Sequence, residues 1–345
     1  MTDMYEALTA SYRGTPPSIG ADLAFAGYGA AVLGRSTLGA GAWLGAMSVM
    51  RGDGDEIEAG DDFHLGNRGT VHIAHDMYPT RIGDGVTVGD GAVIHACDVG
   101  HRCVVEPGAV ILDGASVGAQ AVIGEGSVVF PRSTLDGGWL YSGIPAKPVA
   151  KLTPEQLEEC HQKIRGAAAP SPTAPKPAQT SLDCFVAPTA NVSGAIDVGA
   201  DASIWYGCHL DAGSHRITVG DRTNIQDNTT MLCEKADVVL AENVTLGHNV
   251  TMTDCTVGAN SLIGIGSTVA PGTVVENDVL LAAGARTEPG QVLTAGHVWA
   301  GAPAKILADM DDNKRALVAL TLPMYIEYAN TFVNEPHLPL IPGTQ

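Results

Sequence analysis

Basic residues are scarce in this sequence: 19 Lys and Arg stand against 38 Asp and Glu among 345 residues, which gives a formal net charge of −19. A surface of this kind would not neutralise the phosphates of nucleic acid or of an anionic membrane, so neither is expected as a partner. No apolar run approaches the roughly 18 residues that span a bilayer. A small-molecule substrate or a protein partner remains as the expected ligand.

A disulfide framework is also absent, because the seven cysteines are scattered and no two of them form a C-x-x-C pair. An odd, scattered set of this kind is typical of reduced thiols in the cytoplasm. The N-terminal residues, MTDMYEALTASYRG, include acidic side chains and lack the apolar core of a signal peptide. The sequence therefore predicts a soluble protein of the cytoplasm.

Aromatic residues are few (5%), whereas glycine is abundant, with 42 residues. Small aliphatic residues recur every six positions over 18–60 and 82–135, and again over 185–220 and 240–290. A helix would show a period of 3.6 and an ordinary half-buried strand a period of two. A period of six, with Gly or Asp beside the aliphatic residues, predicts very short strands joined by repeated corners, which stack as a solenoid.

The sequence also contains a longer repeat. SGIPAKPVAKLTPEQLEEC (142–160) and AGAPAKILADMDDNKRALVAL (300–320) both end a solenoid and begin a helix. We expect a first domain at 1–166, a Pro/Ala-rich linker at 167–180 and a second domain at 181–345. Pro323 is expected to interrupt the last helix, and a Pro-rich tail is expected to follow it.

One pair of repeated segments differs at polar positions. GDGAVIHACDVG (89–100) corresponds to GHNVTMTDCTVG (247–258), so that each copy keeps one histidine, at a different place. With MRGDGDEIEAGDDFHLGN (50–67) and SIWYGCHLDAGSHRITVGDRTNIQD (203–227), these segments resemble the γ-class carbonic anhydrase family of hexapeptide-repeat proteins. The resemblance implies an all-β fold of two tandem left-handed parallel β-helix domains, each followed by a C-terminal α-helix.

In the family that the chain resembles, three β-helices form a trimer with a divalent metal ion at each interface. Two histidines come from one helix and a third comes from its neighbour. Matched residue by residue, the first half has the pair His72 and His95, but Asp90 at the remaining position. The second half has His248 there, and Leu232 and Thr253 at the positions of the pair.

The other family residues are divided in the same way. Arg51 and Asp53 are kept in the first half, whereas Asn224, Gln226 and Asp227 are kept in the second. Because this division follows the two sides of the family's interface, we expect a metal site shared between a first and a second domain. The remaining histidines, His64 and His161 among them, match no ligand position and are expected at the surface or at corners.

Three imidazoles leave a coordination position open on Zn²⁺, which is the metal we expect, and Fe²⁺ and Co²⁺ also fit such a ligand set. A hydroxide formed at the metal would attack CO₂ or a related small electrophile. As the resemblance implies, Gln226 with Asn224 would orient the substrate, and Arg51, Asp53 and Asp227 would hold the interface. Gly54 stands where active relatives have a Glu for proton transfer, which argues against fast CO₂ hydration.

Two alternatives remain open. One is a hexapeptide-repeat acyltransferase that uses acyl-CoA, with an interface histidine as its base. The other is a non-catalytic scaffold subunit that docks partners on flat β-helix faces, because a fold alone does not define an activity. In each case an oligomer formed through β-helix faces is expected, and another protein is a candidate partner.

Overall fold

The computed structural model describes residues 7–167 and 184–340. The chain divides into two compact units, one made of Met1–Ala174 with Asn334–Gln345 and the other of Pro175–Val333. From residue 168 onward, the predicted linker lies outside the described residues. Within the described ranges, neither helix is both long enough and apolar enough to cross a membrane.

The first unit is built from very short strands. They are β1 (Leu8–Ala10), β2 (Ser18–Ile19), β3 (Phe25–Ala26), β4 (Ala31–Leu38), β5 (Trp43–Leu44), β6 (Val49–Ala59), β7 (His64–Leu65), β8 (Thr70–His72), β9 (Thr80–Ile82), β10 (Thr87–Val88), β11 (Val93–His95), β12 (Asp98–Val99), β13 (Val104–Val105), β14 (Val110–Ile111), β15 (Ser116–Val117), β16 (Val122–Ile123), β17 (Val128–Val129), β18 (Thr134–Leu135), β19 (Trp139–Ser142) and β20 (Lys147–Lys151). Helix α1 (Pro154–Arg165) follows them.

Strands of successive coils pair in parallel, and each coil contributes one strand to each face. One face has the order β17-β14-β11-β8-β6, a second β6-β9-β12-β15-β18, and a third β19-β16-β13-β10-β7-β5-β3. The long strand β6 belongs to two faces because it continues round a corner. The core is a stack of aliphatic side chains, such as Leu44, Leu65, Val88, Val105 and Ile123, which are in register and at most 1% exposed. The six-residue period thus produces the predicted parallel β-helix.

Helix α1 begins at a capping box, in which the Thr153 and Gln156 side chains each accept the backbone N–H of the other residue. On the third face, His161 Nδ1 lies 2.8 Å from the Thr87 hydroxyl, and the Arg165 Nε–H donates to the same hydroxyl over 2.8 Å. Both His161 and His64, which stacks on Trp43 at 4.2 Å, are buried. The prediction of surface or corner positions is wrong for these two histidines, because α1 covers the face that carries His64 and packs its own His161 against that face.

The second unit repeats the design. Its strands are β21 (Phe185–Val186), β22 (Asn191–Val198), β23 (Ser203–Ile204), β24 (His209–Val219), β25 (Asn224–Ile225), β26 (Thr230–Leu232), β27 (Val238–Leu240), β28 (Thr245–Leu246), β29 (Thr251–Thr253), β30 (Thr256–Val257), β31 (Leu262–Ile263), β32 (Thr268–Val269), β33 (Val274–Val275), β34 (Leu280–Leu281), β35 (Val292–Leu293), β36 (His297–Ala300) and β37 (Lys305–Asp309). Helix α2 (Asp312–Phe332) follows, and the last strand that the structure describes is β38 (His337–Pro339).

Helix α2 is continuous through Pro323, so the predicted interruption does not occur. Its buried side chains hold it in place, since Tyr325, Tyr328 and Phe332 meet Trp205 edge to face, with ring centroids 5.2, 6.3 and 6.0 Å away. Aromatic contacts of this kind offset the hydrogen bond that an internal proline removes. Strand β38 belongs to the first unit, where it pairs antiparallel with β1.

Candidate functional site

Three candidate residues of the first unit lie on adjacent strands of one face. Arg51 of β6 is in register with His72 of β8, which is in register with His95 of β11. Because parallel in-register strands are about 4.8 Å apart, side chains that point to the same side at these positions are neighbours. The β-helix thus brings together residues that are 21 to 44 positions apart in the sequence.

These side chains form a continuous line of polar contacts. Arg51 is ion-paired with Asp53, and Asp53 Oδ1 lies 3.0 Å from His72 Nε2. His72 Nδ1 lies 3.2 Å from His95 Nε2, and His95 Nδ1 lies 2.6 Å from Asp113 Oδ1. Arg51 and Asp53 are fully buried, whereas the His95 and Asp113 side chains are 13% and 37% exposed. The line therefore runs from the interior towards the surface.

The carboxylates determine where each imidazole carries its proton. An ionised carboxylate only accepts hydrogen bonds, so Asp53 requires the proton on His72 Nε2, and Asp113 requires it on His95 Nδ1. The two remaining ring nitrogens then point lone pairs at each other across 3.2 Å. Two ligands of tetrahedral zinc, at Zn–N distances of about 2.0–2.1 Å, would be about 3.3 Å apart. The donor atoms of this pair fit a divalent metal ion.

The backbone at this site requires one small residue, Gly52, and holds another, Ala96, in an unfavourable conformation. A Cβ atom at Gly52, between Arg51 and Asp53, would lie 2.7 Å from the Arg35 carbonyl oxygen on β4, so only glycine allows the strands to approach this closely. Ala96, directly after His95, has φ of 51° and its N–H donates to the His72 carbonyl over 3.0 Å. A left-handed alanine costs about 1 kcal/mol, which the surrounding coil must offset.

In the second unit, the structure places His248 beside Asp227. His248 follows β28 at a corner, and its Nδ1 lies 3.1 Å from Asp227 Oδ2. The other oxygen, Asp227 Oδ1, accepts the Tyr206 backbone N–H over 3.1 Å. His248 and Asp227 are both fully buried. The carboxylate thus lies beside the imidazole, in the position that carboxylates take behind metal-binding histidines.

Asn224 and Gln226 form a second polar line in the same unit. The Gln226 Nε2–H donates to Asn224 Oδ1 over 3.2 Å, and Asn224 Nδ2–H donates to the Thr245 hydroxyl over 3.0 Å. That hydroxyl lies 2.8 Å from the hydroxyl of Thr321 in α2. Both amides are therefore held by protein contacts, and they are only 2% and 6% exposed.

The second unit has no histidine pair at the positions of His72 and His95. In register with one another are Asp211 of β24, Leu232 of β26 and Thr253 of β29. The Gly213 backbone N–H and the Ser193 hydroxyl donate to Asp211 and hold the pKa of its carboxyl below the usual value. Burial raises the pKa of the neighbouring Cys233 thiol, which disfavours the thiolate that a metal would need.

Asp113 is the residue that the sequence analysis missed. It stands in LDGA (112–115), directly after β14, and follows His95 by 18 residues. Three hexapeptides amount to the same number, so a residue 18 positions beyond His95 lies one coil further along the solenoid. A search for acidic residues at that spacing from each candidate ligand would have found it.

Fold and sequence repeats define the chain as a hexapeptide-repeat parallel β-helix protein. No family model matches it. Among curated proteins it is similar to Gamma carbonic anhydrase 2, mitochondrial, and Gamma carbonic anhydrase 1, mitochondrial, both from Arabidopsis thaliana. It is 34% identical to each, over 44% and 46% of this chain and 58% and 60% of theirs. The chain thus spans somewhat more than half the length of these relatives.

Among solved structures, the chain is similar to a hexapeptide transferase family protein from Anaplasma phagocytophilum. The identity is 37%, the match covers 42% of this chain and 87% of the other, and the TM-score is 0.41. It is also similar to a putative acetyltransferase from Bacillus cereus, at 27% identity over 46% of this chain and 91% of the other, with a TM-score of 0.44.

Proposed function

We propose that the chain is a metalloprotein of the carbonic anhydrase type, in which His72, His95 and His248 bind a divalent ion and CO₂ or a related small electrophile is the substrate. The observation that carries the proposal is the pair of imidazole nitrogens in the first unit, 3.2 Å apart, each ring with a carboxylate behind it. The similarity to two proteins named γ carbonic anhydrases supports the same chemistry.

The distribution of ligands supports a site shared between a first and a second unit. The first unit has the histidine pair but Asp90 at the third position, and the second has His248 but Leu232 and Thr253 in place of the pair. Neither unit alone has three imidazoles at the family positions, whereas together they have one complete set. We propose that copies associate through β-helix faces, with a further protein as a candidate component.

Each residue has a proposed part in this site. Asp53 and Asp227 hold His72 and His248 in orientation, and Arg51 neutralises Asp53 where both are buried. Gln226, held by Asn224, orients the substrate. The chemistry that a bound divalent ion supplies is Lewis acidity, which lowers the pKa of water to about 7, as CO₂ hydration requires. Zinc fits three imidazoles best, and Fe²⁺ or Co²⁺ would also be held.

We also propose that the protein acts in the cytoplasm. None of its seven cysteines forms a disulfide in the described parts of the chain, which suits a reducing compartment. The two plant relatives are named as mitochondrial proteins. Fractionation of the native host would decide between the two compartments.

The test is the metal content of the purified protein, measured by mass spectrometry for the wild type and for His72→Ala, His95→Ala and His248→Ala. His101→Ala is the matched control, because His101 is an exposed histidine of the first unit. We expect zinc or another divalent metal in the wild type and the control, and its loss in the three variants. Circular dichroism establishes that each variant is folded.

Two results would overturn parts of the proposal. Unchanged metal in His248→Ala would refute the shared site, and a metal-free wild type that takes up no added Zn²⁺, Fe²⁺ or Co²⁺ would refute the metalloprotein and favour a scaffold subunit. Stopped-flow CO₂ hydration tests the reaction. Metal-independent turnover of acetyl-CoA would instead favour an acyltransferase.

A further inference from the structure

We propose that Asp113 is a positioning residue that holds His95 in the one tautomer able to bind a metal ion. The inference rests on the proposed metal site, but it concerns a residue outside the proposed ligand set. It follows from the contact between the imidazoles of His72 and His95 and from the hydrogen bond that the two rings would form with each other without the carboxylate.

The histidine pair has a competing arrangement. If the proton of His95 moved from Nδ1 to Nε2, the Nε2–H would donate to the His72 Nδ1 lone pair over the existing 3.2 Å. Such a hydrogen bond would pair the two facing nitrogens and leave no lone pair for a cation between the two rings. The contact of 2.6 Å from Asp113 Oδ1 to His95 Nδ1 opposes it, because an ionised carboxylate can only accept a hydrogen bond there and therefore needs the proton on Nδ1. Asp113 therefore prevents the two imidazoles from bonding each other.

The backbone around Asp113 is fixed on both sides. Its carbonyl oxygen accepts the Arg132 N–H over 2.9 Å, and the N–H of the following Gly114 donates to the Ala96 carbonyl over 2.7 Å. Gly114 has φ of +68°, a conformation that favours glycine. The corner thus ties the residue after Asp113 to Ala96, the residue after His95, so that the carboxylate and the imidazole keep their separation.

The second unit supplies an internal comparison. At the positions 158 residues later, Thr253 replaces His95 and Pro271 replaces Asp113. The carboxylate is thus absent from the unit that has no histidine to orient at this place. A carboxylate that only capped the corner would be equally useful in both units, since Gly272, like Gly114, has positive φ.

The test compares Asp113→Ala with the wild type in two measurements. Selective ¹⁵N labelling of histidine gives the ring nitrogen shifts of His95 in the metal-free protein, with His95→Gln to assign them. We expect the proton on Nδ1 in the wild type and on Nε2 in Asp113→Ala. Competition with a chromophoric chelator then gives the Zn²⁺ affinity, which we expect to fall about 10–100-fold.

Two further variants control for a merely structural effect. Asp84→Ala removes the carboxylate that lies beside an exposed histidine of the same unit, since Asp84 Oδ2 is 3.3 Å from His101 Nδ1. This substitution should leave the Zn²⁺ affinity and the His95 shifts unchanged. Asp113→Asn keeps the shape and a neutral acceptor oxygen, so it should recover part of the Nδ1–H tautomer and part of the affinity.

The outcomes separate this inference from the proposed function. If the wild type binds Zn²⁺ and Asp113→Ala binds it equally well, the positioning role is wrong while the metal site stands. If the wild type binds no Zn²⁺, the metal site is wrong, and only the tautomers test the role of Asp113. A proton on Nδ1 of His95 in the wild type, which moves in Asp113→Ala, supports positioning by Asp113. A proton on Nε2 in the wild type refutes it.

Discussion

Asp90 accepts the backbone N–H of Asn67 across a corner of the first unit, with 2.8 Å between nitrogen and Oδ1. Asn67 in turn accepts the Ala46 N–H through its own side-chain oxygen over 2.9 Å. The three residues form a ladder of hydrogen bonds along successive coils. Asp90 stands where the second unit has His248, so the residue at the proposed ligand position has a structural role in one unit and faces Asp227 in the other.

Asp90→His places a histidine at the position that His248 occupies in the second unit. We expect the first unit to lose about 1–2 kcal/mol of unfolding free energy, because charge-assisted bonds to the Asn67 N–H and side-chain amide are removed. Metal content should equal that of the wild type if His248 already supplies the third ligand. Urea unfolding and metal analysis check the two expectations, and an additional bound metal would contradict the proposed sharing.

Arg51→Met leaves the buried carboxylate of Asp53 without its cation. Because both side chains are fully buried, we expect a loss of about 3–5 kcal/mol in unfolding free energy. The control is Arg81→Met, since Arg81 is 58% exposed and lies 3.8 and 3.9 Å from Glu58 and Asp98, and it should change stability by no more than about 0.5 kcal/mol. Equal effects of the two substitutions would mean that Arg51 is not needed for the fold.

Stability should decrease between about pH 6.5 and pH 4 through His64. Burial lowers the pKa of His64 to about 4, and the nearby Arg165 charge acts in the same direction. As the pH decreases through this range, the unfolded chain binds a proton before the folded protein does. The unfolding free energy therefore decreases as the pH is lowered, by up to about 3 kcal/mol. Denaturation at pH 7.5 and pH 5 should show a smaller difference in His64→Gln than in the wild type or in His101→Gln, whose side chain is 68% exposed.

The thiols should differ in reactivity. Burial raises the pKa of Cys103 to about 11 and that of Cys255 to about 12, so the native protein holds little thiolate at these positions. We expect a disulfide reagent at pH 8 to modify Cys184 and Cys160 first, because they are the two cysteines that are not fully buried. All seven should react after unfolding, and fewer than seven would reveal a disulfide.

Much of the site could be predicted from the sequence because the coil has a regular length. The period places equivalent residues on the same face. Because Leu232 follows His72 by 160 residues and Thr253 follows His95 by 158, the match also required the repeated motifs, and the strand register agrees with it. The contact of Asp227 with His248 was not predicted, because the sequence analysis assigned Asp227 to an interface. The register of β25 with β28 brings the corners after these two strands together.

The sequence could not predict which helix faces bury polar residues. His64 and His161 carry no mark that separates them from surface histidines, and their burial depends on α1 covering one face. For the same reason Pro323 does not interrupt α2, because the contacts of Tyr325, Tyr328 and Phe332 with Trp205 decide the helix there. Local propensities are small beside the energy of buried aromatic contacts.

By itself, the sequence determined the β-helix, its duplication and the division of candidate ligands between the halves. These follow from periodicity, because short strands with corner residues every six positions can bury their aliphatic side chains only by stacking. The tertiary structure alone decided which carboxylates contact the histidine pair. One of them, Asp113, lies one coil away with its Oδ1 2.6 Å from His95 Nδ1, and contacts between coils fix such a distance only when the chain is folded.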